Sequence, residues 1–161
     1  MRKDKTSPLK LRIDDLQTFE PMTENQEKVY QAWDEDHHLV MTGTAGTGKT
    51  FSALYLALEE VLDKGNNLEK VVITRSIVPT REIGFLPGSM EEKMEPYSCP
   101  YRAICTELFQ DSKAYDKLVD QNAIEFLSTS YIRGTTFNDA VIVVDEMQNL
   151  TFHELDSVIT R

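Results

Sequence analysis

Two rhythms divide this chain: apolar residues at helical spacing, and short apolar runs bounded by polar turns. Residues 1–20 show neither, and read as a polar, flexible N-terminal segment ahead of a domain spanning 21–161. Thr23-x-x-Gln26 has the form of a capping box and predicts a helix over 24–34, with Val29, Ala32 and Trp33 turned toward a core. HHLVMT at 37–42 predicts a short buried strand. Over 49–63 Phe51, Leu54, Tyr55, Leu58, Val61 and Leu62 recur at helical spacing, and Gly65 is the expected C′ glycine that ends that helix.

KVVITR at 70–75 predicts the next strand, and a loop containing proline and glycine follows over 76–89. Helical stretches are expected over 90–93, 101–109 and 113–120, then strands over 123–129 and 140–146. The last of these, AVIVVDE, is apolar enough to be buried on both faces. Thr151-x-x-Glu154 is a second capping box, opening a helix expected to run to the end of the sequence. Strands alternating with helices predict an α/β sandwich with a mainly parallel sheet.

Composition adds limits rather than a function. At 161 residues with 40% hydrophobic and 27% charged residues, the chain suits one soluble domain. No apolar run approaches the ~20 residues of a membrane span, and the basic N-terminus lacks an apolar signal core, so cytoplasm is the expected location. Cys99, Cys105, His37, His38 and His153 form neither a disulfide framework nor a zinc set. A formal net charge of −10 argues against a protein that coats nucleic acid, though it leaves room for a local basic groove.

The chemistry begins between the first strand and the second helix. Gly43, Thr44, Ala45, Gly46, Thr47, Gly48, Lys49 and Thr50 form a complete phosphate-binding loop, GxxxxGKT. Its glycines let backbone N–H groups approach phosphate oxygens, and the following helix aims its positive end at the same anion. Lys49 supplies a charge for the β- and γ-phosphates, and the Thr50 hydroxyl suits Mg²⁺. ATP with Mg²⁺ is the expected ligand.

The strand at 140–146 supplies the second half of such a site. Asp145, at its carboxyl end, is the candidate to hold Mg²⁺ directly or through water, and Glu146 is the candidate general base for an attacking water. Gln148 could sense the γ-phosphate or orient water; a polar loop start is the plainer alternative. Gln26 could read adenine through its amide, a task that competes with its place in the capping box.

Together these segments resemble the PhoH family of P-loop ATPases, particularly short phage-encoded members, over about residues 20–161. The resemblance rests on GTAGTGKT, on ITRSIVPTREIGFLPGSMEEKMEPY (73–97), on YIRGTTFNDAVIVVDEMQN (131–149) and on the closing TFHELDSVITR. It implies a RecA-like three-layer P-loop NTPase fold, similar to the first domain of superfamily-one helicases. ATP hydrolysis, action on RNA or single-stranded nucleic acid, and ring-like homo-oligomers follow as implications. In the resembling helicases the regions of Arg75, Arg81 and Arg133 run close to nucleic acid or phosphates; surface arginines are the alternative.

The resemblance also implies a further strand bearing a Gly-Asp-x-x-Gln-like sensor, set between the phosphate-loop strand and the strand of Asp145. It is not in the sequence, which leads us to expect a fragment, or a domain truncated at its C-terminus. A nucleotide-dependent assembly or binding module with little hydrolysis is therefore the second functional class. A small-molecule kinase ranks last, because an acid pair such as Asp145–Glu146 is unusual there.

Overall fold

A computed structural model describes residues 10–77, 90–129, 132 and 135–160 of the chain. Among these residues are five α-helices and a three-stranded sheet: α1 (Glu24–Asp34), α2 (Lys49–Leu62), β1 (Lys70–Arg75), α3 (Met90–Phe109), α4 (Ala114–Asp120), β2 (Ile124–Ser128), β3 (Ala140–Asp145) and α5 (Phe152–Ile159). The sheet order is β2-β1-β3, and both pairings are parallel. The α/β class and the parallel sheet are as the sequence predicts.

β1 occupies the centre of this sheet, and its apolar run tolerates the burial on both faces that the position imposes. Val71, Val72, Ile73 and Thr74 are all fully buried. Val71 and Ile73 join Leu54, Leu58, Tyr101, Cys105, Leu108, Leu118 and Ile124 in the main core. Along a strand side chains alternate in direction, so Val72 and Thr74 are buried in the layer on the other side.

Helix α2 packs against both β1 and β3. It buries Ser52, Leu54, Tyr55, Leu56, Ala57, Leu58 and Val61, a wider face than one amphipathic stripe. It does not end on Gly65. Asp63 is the extended C-cap residue, and its carboxylate accepts from the Gly65 N–H at 2.9 Å, so an Asx-type turn replaces the glycine cap.

Other expectations change as well. The stretches 90–93 and 101–109 belong to one helix, α3, which continues through Pro96 and Pro100. Each proline removes a helical donor. Both prolines are exposed and lie four residues apart on one face, so the unpaired carbonyls fall on the solvent side. The inner side of α3 carries Tyr101, Cys105, Leu108 and Phe109, all buried.

Residues 37–42 are not a strand. They pair with no strand among the described residues, and Val40 is 72% exposed. An apolar run alone does not make a strand; its N–H and C=O groups need a neighbouring ladder. β3 shows the companion effect. It pairs with β1 on one side only, and each of its six residues is partly rather than fully buried, against the expectation of burial on both faces.

The N-terminal stretch is more tightly held than a flexible segment over its second half. Leu11 is buried and exchanges two hydrogen bonds with the Gln121 side chain, at 2.9 and 3.1 Å. Phe19 meets Phe51 edge-on at 5.0 Å between ring centroids. The two capping boxes also differ. Thr151 and Glu154 form theirs in full, and α5 ends at Ile159 with Thr160 as its C-cap. Thr23 accepts from the Gln26 N–H, but the Gln26 side-chain oxygen accepts from Met22 at 2.7 Å and leaves the reciprocal bond unmade.

Candidate functional site

The site forms where the loop at 43–50 meets the carboxyl end of β3. Gly46 and Gly48 stand at φ +76° and +79°, a left-handed region costly for residues with a Cβ. At Gly48 a second constraint applies, because a Cβ there would lie 3.3 Å from the Gln26 side-chain nitrogen. Gly48 is also the N-cap of α2 and offers no side-chain cap. The first N–H groups of α2 are thus left for another acceptor, the arrangement that favours an anion.

Lys49 lies back across this loop. Its Nζ donates to the carbonyls of Gly43 at 3.0 Å and Thr44 at 2.7 Å. The Thr47 hydroxyl donates to the Thr44 carbonyl at 3.0 Å and ties the same turn. Ala45 is exposed at its tip. Gln26 completes the brace: its Nε2 donates to the Thr47 carbonyl at 3.3 Å while its Oε1 accepts from Met22. The amide considered for reading adenine thus also braces the loop, from the neighbouring helix α1.

Asp145 gathers the opposite wall. The Thr50 hydroxyl donates to Asp145 Oδ1 at 3.0 Å, across 95 residues of chain. Tyr101, fully buried on α3, donates its phenol to Asp145 Oδ2 at 2.8 Å. Its ring rests against Phe126 on β2, 5.4 Å between centroids. Burial first, then the adjacent Asp145 carboxylate, push the Tyr101 hydroxyl well above its ordinary pKa, with Arg75 opposing. The phenol therefore stays protonated and donates. Arg75 sits beside Asp145 in the β1–β3 register, so both occupy the carboxyl end of the sheet.

The chain turns sharply after Asp145. Glu146 adopts φ +52°, ψ +41°, and caps the short 3₁₀ turn Met147–Asn149. A non-glycine residue held there carries strain of about 1–3 kcal/mol, a feature that clusters at functional sites. The turn takes Glu146 out of strand alternation, exposes it, and lets Gln148 Nε2 donate to its carboxylate. Glu154 accepts from the Thr129 hydroxyl at 2.7 Å, tying α5 to the end of β2.

Most residues singled out in the sequence thus come together. Gly43 to Thr50, Gln26 and Asp145 share hydrogen bonds, and Glu146 and Gln148 form a pair one residue further on. Arg81 and Arg133 lie outside the described residues. Tyr101 is the participant that sequence reasoning missed: an aromatic on the inner face of a helix reads as core, and a contact 44 residues away leaves no local signal.

The donors suit a hard cation only in part. Thr50 and Asp145 offer a hydroxyl and a carboxylate, but among the described residues no group of three His, Cys, Asp or Glu could hold a metal alone. A hydroxyl and one carboxylate are protein oxygens of the kind Mg²⁺ takes where phosphate oxygens and water complete its shell.

Comparison with known proteins then gives the relationship. The family model described as PhoH-like protein matches residues 18–161. A PhoH-like protein of Mycobacterium leprae is 37% identical over 145 residues, covering 89% of this chain and 41% of its own length. The protein PhoH2 of Bacillus subtilis is 40% identical over 132 residues, 79% of this chain and 30% of its own. The protein PhoH of Escherichia coli is 34% identical over 122 residues, 74% and 34% respectively. The chain therefore spans well under half the length of these bacterial relatives.

Proposed function

The chain belongs to the PhoH-like protein family, and on that premise we propose that it binds ATP and hydrolyses it with Mg²⁺. The observation that carries this reading is the Thr50–Asp145 hydrogen bond, which joins the phosphate loop to the acid-bearing strand. Each residue has a role that its chemistry supports. On binding, Lys49 exchanges the Gly43 and Thr44 carbonyls for β- and γ-phosphate oxygens. The N–H groups of residues 43–50 and the start of α2 cradle the remaining anionic oxygens. Thr50 and Asp145 supply the protein oxygens toward Mg²⁺, which when bound neutralises charge on the β- and γ-phosphates. Glu146 accepts a proton from the attacking water, and Gln148 orients the Glu146 carboxylate.

In this reading the ATPase acts in the cytoplasm on RNA or single-stranded nucleic acid, as a homo-oligomer. Arg75 is the described arginine nearest the site for a phosphate backbone. Among the described residues no helix is long and apolar enough to cross a membrane. Phosphate release should require Mg²⁺, collapse in Lys49→Ala and Glu146→Gln, and rise with added RNA. Full turnover in Glu146→Gln would remove Glu146 from the base role.

The exposure of Glu146 to solvent favours a second reading, a nucleotide-dependent assembly or binding module with little turnover, because a hydrolytic base works best where bulk water is excluded. Tight ATP binding with negligible phosphate release, and assembly size that follows the nucleotide, would select it.

A further inference from the structure

We infer that Tyr101 is a positioning residue for Asp145, setting the affinity of the site for Mg²⁺ from the buried side of the sheet. The inference rests on the reading of Asp145 as the carboxylate that faces the metal. An ionised carboxylate has two oxygens and can serve a cation well only if its plane is fixed. Here both oxygens have partners. Oδ1 receives the Thr50 hydroxyl at 3.0 Å, and Oδ2 receives the Tyr101 phenol at 2.8 Å.

The two donors differ in their other tasks. Thr50 is itself a candidate ligand of Mg²⁺ through its oxygen lone pairs and lies on the phosphate loop, so its bond to Oδ1 has to hold while the same hydroxyl meets the metal. Tyr101 has no such competing task. It is fully buried, its ring is wedged against Phe126, and α3 carries it within the main core beside Cys105 and Leu108. It therefore holds the carboxylate plane in both states. A donor to a ligating carboxylate also withdraws charge from it, so this bond sets orientation and basicity together. Arg75, beside Asp145 in the register and opposing the rise in the Tyr101 pKa, is the charged neighbour of this pair.

Removing partners of this kind lowers metal affinity by roughly 10–100-fold. Tyr101→Phe keeps the ring and its packing while deleting the hydroxyl, so it isolates the hydrogen bond. The test is fluorescence titration of wild type and Tyr101→Phe with a labelled ATP analogue, first without divalent cation and then across a Mg²⁺ series. The expected result is unchanged nucleotide affinity without Mg²⁺, and a Mg²⁺ midpoint raised by about tenfold or more.

Two outcomes overturn the inference. One is a Mg²⁺ midpoint equal to wild type. The other is an equal loss of nucleotide affinity with and without Mg²⁺, which marks Tyr101 as purely structural. Tyr101→Leu, which removes the ring as well, provides the reference for such a packing defect. A wild-type chain whose nucleotide binding ignores Mg²⁺ would instead overturn the Mg²⁺ reading of Asp145, and this inference with it.

Discussion

β1 and β3 are near-equivalent in sequence, KVVITR and AVIVVD, yet their surroundings differ. β1 has a strand on each side and four fully buried residues in succession. β3 has β1 on one side, no paired strand on the other among the described residues, and only partial burial throughout. Hydrophobicity therefore records what a strand can bury, and its neighbours decide what it does bury. The segments around the loop and after β3 are open in the same way: Val40, Phe152 and Ile159 are 72%, 80% and 72% exposed, whereas α2, α3 and α4 form a closed half that carries most of the core.

The sharpest way to break that contrast is one substitution at two paired positions. Val71 and Val141 are register partners on β1 and β3. Val71→Ala should destabilise by about 2–3 kcal/mol, through lost transfer energy and a cavity the sheet cannot collapse. Val141→Ala should cost about 1 kcal/mol or less, since its side chain is already partly in water. Urea unfolding of both variants reads the difference directly. Equal losses would mean that β3 is as closed as β1.

A smaller effect concerns the tether of α5. Thr151→Ala removes the N-cap hydroxyl and should cost about 1 kcal/mol. Hydrogen exchange should quicken in α5 and leave the β1 amides unchanged; uniform quickening would contradict the separation of the two halves. The mildest probe uses the thiols. Cys99 is exposed, whereas burial pushes the Cys105 thiol up to about 12. At pH 8 the neutral, buried Cys105 should resist iodoacetamide until the core opens, while Cys99 reacts in the folded protein. Mass spectrometry showing simultaneous labelling would place Cys105 outside the closed half.

The same contrast explains what could be read in the sequence. α1, α4, β1, β2 and α5 were legible because local spacing or a cap specifies them. The single helix α3 was hidden by Pro96 and Pro100, whose tolerance depends on facing solvent. The 37–42 segment failed as a strand because strand formation needs a partner that the local sequence does not describe. At the site, the phosphate-loop motif and the acid pair announced themselves by type and spacing. The brace from Gln26 to Thr47 and the anchor from Tyr101 to Asp145 did not, since both are tertiary contacts of residues that have plainer local uses.

The central claim is that the loop of residues 43–50 is a triphosphate site closed by Asp145. Equilibrium binding of a fluorescent ATP analogue with Mg²⁺ tests it most directly, with wild type beside Lys49→Ala. Saturable binding to wild type, competed by unlabelled ATP and weakened at least roughly tenfold in Lys49→Ala, is the predicted result. Equal affinity in the two proteins would contradict it.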